Sequence, residues 1–236
     1  MSVASEAIKE TKALDVPFGA LPQEPAEDTV VGTEIQRHQL GARVIHWGVA
    51  FTFFACLATG MPIWFPAFGW MAALFGGLYV CRWLHPLIGD GFFVFAFLMV
   101  TRWAAKMAME KEDWAWIGPK TLEYLRFDRD DPNVGKYNGG QKIFFWFSAL
   151  GSVGLLLTGI VLWWPELFGL ELRRVSLVLH DLAFIGFAAQ LVAHIYLATA
   201  AEPGTFRAMI NGRVTKAWAR VHHAKWYRQV TGDESK

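Results

Sequence analysis

The sequence predicts an all-α membrane protein, a bundle of four transmembrane helices, on three observations. Hydrophobic residues make up 54% of the 236 and charged residues only 18%, a balance more apolar than a soluble domain needs to fill its core. Segments 44–66 and 143–165 contain no Asp, Glu, Lys or Arg, and each is long enough to cross about 30 Å of hydrocarbon as a helix. Segments 83–101 and 175–201 are interrupted only by Asp90 and Asp181, so they read as two further spans with one acidic residue each near one end. The third observation is the placement of basic residues. The lead before the first span, the loop 102–142 and the tail after Ala201 hold nineteen of the Lys and Arg residues, and the two remaining loops hold only Arg82, Arg173 and Arg174. The positive-inside rule then places both termini and the middle loop of this multi-pass chain in the cytoplasm.

The chain divides on this reading into an N-terminal lead, 1–42, a four-helix transmembrane domain, 43–201, with its cytoplasmic loop 102–142, and a basic cytoplasmic tail, 202–236. The lead carries Glu6, Glu10, Asp15, Glu24, Glu27 and Asp28 against Lys9 and Lys12, with Pro17, Pro22 and Pro25 interrupting any helix. It has no apolar signal-peptide core and reads as a mobile acidic segment. Trp47, Trp64, Trp70, Trp83, Trp103, Trp163 and Trp164 fall near span ends, where an interfacial belt is expected. A net charge of +1 arises from 22 basic and 21 acidic residues, so nothing points to nucleic acid, while the lipid bilayer is an obligatory partner.

Cys56 and Cys81 show neither metal-binding spacing nor a disulfide framework, and read as buried thiols. The CxxCH signature is absent, which excludes a covalently attached c-type haem. A short repeat is visible instead: Leu57-Ala58-Thr59-Gly60 followed by Trp64-Phe65-Pro66 resembles Leu156-Leu157-Thr158-Gly159 followed by Trp163-Trp164-Pro165. The following spans open with Leu84-His85 and Leu179-His180, as a duplicated helical hairpin would.

Of seven histidines, His46, His85, His180 and His194 lie inside spans, where an ionisable side chain is costly unless it has a function or a helix-helix partner. His180 and His194 are 14 residues apart, a rise of roughly 21 Å and a rotation of about 1400°, which puts them on one face at opposite depths. His46 starts the first span level with His194, and His85 starts the second level with His180. Two level pairs result, each able to ligate an iron from both axial faces within a four-helix core. Zinc is the rival, but it requires further ligands at the same depth; only Asp90 and Asp181, on the periplasmic side, could supply them. Asp181 can instead pair with Arg82, Arg173 or Arg174, and the same arginines can neutralise haem propionates. His222 and His223 sit among basic residues and tryptophans of the tail and read as part of an interfacial segment.

Several stretches together resemble a known family, the gamma (cytochrome b) subunit of membrane-bound respiratory formate dehydrogenase. They are Arg43-Val44-Ile45-His46-Trp47, Leu84-His85-Pro86, the loop from Val134 through Tyr137, Asn138, Gly139, Gly140 and Gln141 to Lys142, His180 with His194, and the tail stretch from Trp218 to Arg228. The resemblance runs from about Arg43 to Gln229. It implies two haem b groups, one held by His85 and His180 on the periplasmic side and one by His46 and His194 on the cytoplasmic side, the pairing the depth argument also gives. It implies partners, an iron-sulfur beta subunit and a molybdenum- or tungsten-pterin alpha subunit, and a substrate, menaquinone or ubiquinone. Related subunits serve hydrogenases and other periplasmic oxidoreductases. A haem-free membrane anchor and a proton-conducting transporter using Asp90, Asp181 and the histidines are the readings from other classes.

The stretch leading into the third span admits two readings from its residues. Asn138 can cap the helix while Gly139 and Gly140 shape the turn, or Asn138, Gly140 and Gln141 can approach a quinone carbonyl. The resemblance favours the second, because in that family the matching stretch borders the quinone pocket. The expected path takes electrons from formate dehydrogenase at the periplasmic face to quinone at the cytoplasmic face, and since each electron moved inward against the membrane potential costs about 2.3 kcal/mol per 100 mV, a strongly reducing donor such as formate suits it.

Overall fold

The computed structural model describes residues 24–118 and 132–233. Among the described residues, four helices are long and apolar enough to cross a membrane: α1 (Leu40–Trp64), α2 (Leu78–Trp103), α3 (Gly139–Trp163) and α4 (Leu170–Tyr196). All four begin before the apolar segments that predict them. Polar and charged residues such as Arg43, Arg82, Lys142 and Arg173 sit in the first turns, where a helix can continue into the interface without exposing backbone to hydrocarbon.

Helices α1 and α2 pack along each other, as do α3 and α4, and the two hairpins also meet through α2 and α3. The duplication expected from the sequence is therefore an arrangement of two hairpins. In each, the first helix ends at a Trp and a Pro opens the connector, as the 3-10 helices Pro66–Phe75 and Pro165–Leu167. Between α1 and α4 the meeting is through rings: His46 with His194, Phe53 with Phe187, and Trp64 with Phe184.

The segments flanking the bundle fold together on one side of it. Strands β1 (Thr29–Val31), β2 (Glu34–Gln36) and β3 (Arg213–Thr215) form an antiparallel sheet in that order, with Ile35 opposite Val214 and Gln36 opposite Arg213. Ile35 and Val214 are wholly buried, and they pack with Ala208, Trp218, Ala219, Trp226 and Tyr227 in a small core of their own. Helices α5 (Arg207–Ile210), α6 (Lys216–His222) and α7 (Ala224–Thr231) complete this cap. Residues 24–42 of the lead fold against the tail, which supplies a strand partner and an apolar surface from far along the chain. Residues 1–23 of that lead, and Lys120, Arg126 and Arg129 of the basic loop, lie outside the described residues.

Polar contacts lock the cap to the loop before α3. The buried Arg37 guanidinium donates to the Lys136 carbonyl at 2.5 Å and to His223 Nε2 at 3.3 Å, while His223 Nδ1 donates to the Gly135 carbonyl at 2.7 Å. Tyr137, Trp218 and Trp226 surround that guanidinium at 5.0–5.5 Å. Burial and the Arg37 charge push His223 and His38 well below the ordinary imidazole range, so both are neutral. His223 therefore belongs to the interior of the cap, where the sequence reading had placed it in an interfacial segment.

Candidate functional site

The four histidines within the spans come together as two facing pairs. The His46 and His194 rings are 6.0 Å apart, centroid to centroid, and the His85 and His180 rings 6.3 Å. Each pair joins one hairpin to the other. A metal ion with an imidazole nitrogen about 2 Å away on either side requires about this separation. The pairs lie toward opposite ends of the bundle: α1 carries His46 in its second turn, near the cap, and α2 carries His85 in its second turn, near the opposite end.

Phenylalanines fill the bundle between the pairs. Phe53, Phe92 and Phe187 come from α1, α2 and α4, and their centroids are 5.8–6.0 Å apart; Phe147 of α3 lies 6.1 Å from Phe187. A side chain at Gly151 would place its Cβ 2.6 Å from the Phe187 ring, and one at Gly186 would place it 3.0 Å from Phe147, so these glycines let the aromatic block close. Near the cap, Phe144 stacks on His194 at 4.9 Å, and Gln190 donates to the Phe144 carbonyl and to Ser148 Oγ, tying α4 to α3 beside that ring.

Residues 37–212 match the family described as prokaryotic cytochrome b561. The chain belongs to that family. Among its relatives are two Escherichia coli K12 proteins, the formate dehydrogenase cytochrome b556(fdo) subunit and the nitrate-inducible cytochrome b556(Fdn) subunit. The first is 32% identical over 86% of this chain and 94% of its own, and the second 33% over 82% and 90%. The formate dehydrogenase cytochrome b556 subunit of Haemophilus influenzae is 34% identical over 84% of each chain. The resemblance drawn from the histidine, loop and tail motifs is thereby supported along most of the sequence.

For a cytochrome b561 the group to test against the histidine pairs is haem b, and three features of the chain fit it. The donor sets are bis-imidazole with no third ligand: among the described residues no group of three or more His, Cys, Asp and Glu side chains is placed to hold a metal ion. His46 Nδ1 is buried and has no hydrogen-bond partner among the described residues. Glycine faces an imidazole of the His85–His180 pair in each hairpin, with a Cβ at Gly60 falling 2.8 Å from His85 Cε1 and one at Gly159 falling 3.7 Å from His180 Cε1. Arg174 pairs with Glu171 at 2.9 Å, and the Arg173 Nε is buried without a partner among the described residues. Among the described residues Asp181 forms no ion pair with Arg82, Arg173 or Arg174, and the Trp64 side chain lies beside its carboxyl.

At the start of α3, Asn138 and Gln141 form a reciprocal cap. Asn138 Oδ1 accepts from the Gln141 backbone N–H at 2.8 Å, and Gln141 Oε1 accepts from the Asn138 N–H at 3.0 Å. Gly139 and Gly140 lie under the Trp116 ring, and a Cβ at Gly140 would be 3.1 Å from it. Lys142, which follows Gln141, is buried in an ion pair with Asp113 at 2.6 Å. The cap engages both carboxamide oxygens and leaves both NH2 groups as donors. Thr59, Thr158 and the Phe53–Phe92–Phe187 block escaped the sequence reading. The Thr-Gly repeat was the signal for the threonines, and a seven-residue spacing was the signal for the block: Phe53 follows His46 by seven, Phe92 follows His85 by seven, and Phe187 lies seven from each of His180 and His194.

Proposed function

We propose that this chain is the cytochrome b subunit of a membrane-bound formate dehydrogenase, holding two b-type haems and carrying electrons across the inner membrane to quinone. The single observation that carries the reading is the two facing histidine pairs at opposite ends of the bundle. The relatives' names support the complex: formate oxidation would occur on a molybdenum- or tungsten-pterin alpha subunit, and an iron-sulfur beta subunit would deliver the electrons. The distribution of basic residues supports the direction, with the cap, the middle loop and the His46–His194 pair on the cytoplasmic side and the His85–His180 pair on the periplasmic side.

Haem bound at each pair supplies one-electron redox chemistry that the polypeptide lacks. The protein's part is orientation and exclusion of water. Each pair fixes a group between the two hairpins, and the phenylalanine block keeps the two positions separate and dry. Near the cytoplasmic pair, the carboxamide NH2 groups of Asn138 and Gln141 would donate to a quinone carbonyl, with Gly140 between them packed against the Trp116 ring. The protons for the reduced quinone would come from water on that side.

The test is haem content and the reduced-minus-oxidised spectrum of the purified complex. His180→Ala and His194→Ala each remove one ligand of a different pair, so each variant is expected to retain one haem per chain, and the two remaining spectra are expected to differ. Two haems retained in both variants would overturn the ligand assignment.

A further inference from the structure

The Thr-Gly repeat acts on the histidines of one pair and leaves the other pair untouched. Thr59 Oγ1 donates its single proton within α1, to the Ala55 carbonyl at 2.8 Å, with the Cys56 carbonyl at 3.2 Å. Thr158 Oγ1 does the same within α3, with Gly154 at 2.7 Å and Leu155 at 3.2 Å. Toward a histidine each hydroxyl can then only accept. His85 Nδ1 lies 3.3 Å from Thr59 Oγ1 and 3.2 Å from the Cys56 carbonyl, and His180 Nδ1 lies 2.8 Å from Thr158 Oγ1. Both Nδ1 atoms must therefore carry the proton, and Nε2 is left with the lone pair that binds a metal. Thr59 is wholly buried, so no water competes for its oxygen. Beside each threonine, Gly60 or Gly159 gives the imidazole room. His46 has no such arrangement, since its Nδ1 is buried without a hydrogen-bond partner among the described residues.

We propose that Thr59 and Thr158 are positioning residues that fix the tautomer and orientation of His85 and His180 and make theirs the more electron-donating ligand pair. An imidazole whose Nδ1–H is held by an oxygen acceptor is a more basic ligand through Nε2, and a more basic axial pair favours the ferric over the ferrous state. A haem held by His85 and His180 then has the lower potential of the two. Electrons entering there run downhill toward the His46–His194 pair, so the direction of flow is built into hydrogen bonds of the duplicated hairpin. The inference rests on the reading of both histidine pairs as haem ligands.

The experiment is potentiometric titration of the haem absorption bands, with electron paramagnetic resonance of the oxidised haems, on the intact complex carrying Thr59→Val, Thr158→Val or the serine variants. Each valine variant is expected to retain both haems and to raise one midpoint. A tenfold change in the reduction equilibrium is the expected scale, about 59 mV for one electron, with the other midpoint unmoved. Serine keeps the acceptor oxygen and is expected to restore the original value. Where valine prevents assembly, Thr59→Ala and Thr158→Ala remove the oxygen with a smaller side chain and are read in the same way. His194→Ala, left with the His85–His180 haem, is expected to show the lower of the two native midpoints. Unmoved midpoints in the valine or alanine variants, an equal shift in the serine variants, or the higher midpoint in His194→Ala would overturn the proposal. Failure of the underlying reading looks different: His85→Ala and His180→Ala would each keep both haems.

Discussion

Both carboxamides at the start of α3 are half used by the helix and half available to a ligand, and single residues can separate the two roles. Asn138→Asp and Gln141→Glu keep the oxygens that accept from Gln141 N–H and Asn138 N–H, but remove the NH2 donors. If those donors serve a quinone, both variants are expected to fold as stably as the parent, to keep both haems reducible by the electron donor, and to reoxidise more slowly with quinone. Asn138→Ala also removes the cap and is expected to destabilise the complex by about 1 kcal/mol, read as a lower melting temperature in detergent. Unchanged reoxidation in Asn138→Asp and Gln141→Glu would assign the pair to the cap alone. Gly139 is a separate matter. Its backbone lies so close to Trp116 that a Cβ there would overlap the ring, so its small size serves packing whatever binds nearby.

Among the elements, strand β1 and the residues before it depend on Glu27, which receives Lys106 at 2.6 Å, Lys136 at 3.1 Å and Arg102 at 3.2 Å. Burial opposes its ionisation, but the hydrogen bond from Lys106 and the charge and hydrogen bond of Lys136 outweigh this and hold the carboxyl down at about 2, from an ordinary 4.5. A depressed carboxyl contributes stability that is present above its unfolded value and is lost as pH falls through its folded one. Docking of residues 24–31 is therefore expected to weaken between pH 4.5 and about 2, the window between those two values. Hydrogen exchange in the lead at stepped acid pH checks this. Glu27→Gln is expected to loosen the lead at neutral pH and to abolish this acid dependence, while the four long helices remain protected. The aromatic block in the bundle has no comparable titration, because phenylalanine rings and glycines alone build it.

At the scale of the whole molecule, the sheet that joins the lead to the tail requires both to lie on one side of the bundle, and four crossings require the same. Which side that is in the cell rests on the basic residues. Glu171, whose side chain is 83% exposed at the start of α4, and Ala217, exposed on α6, mark the two faces. In spheroplasts a membrane-impermeant thiol reagent is expected to label Glu171→Cys directly and Ala217→Cys only after lysis. Cys81 is buried and Cys56 lies within a span, so neither native thiol should interfere. The opposite labelling pattern would invert the proposed path of electrons.

How much of this the sequence determined follows from the range of the forces involved. The four spans were legible because hydrocarbon demands an unbroken apolar stretch and a fully hydrogen-bonded helix. The depths of His46, His85, His180 and His194 then follow from the fixed rise per residue, so the pairing needed no tertiary information. The helices begin earlier than the apolar segments because the interface tolerates polar first turns, which hydropathy alone does not mark. Only the tertiary structure could decide that Glu27 meets Lys106 and Lys136, that Gln36 pairs with Arg213, and that Arg37 is enclosed by Tyr137, Trp218 and Trp226. Those contacts join residues 79 to 189 positions apart, and nothing in local composition ranks them above alternatives. The same holds for the protonation of His85 and His180. Sequence places a threonine in one helix and a histidine in the next, but the proton's position depends on which hydroxyl and carbonyl oxygens come within hydrogen-bonding distance of Nδ1, and packing of the hairpin sets that.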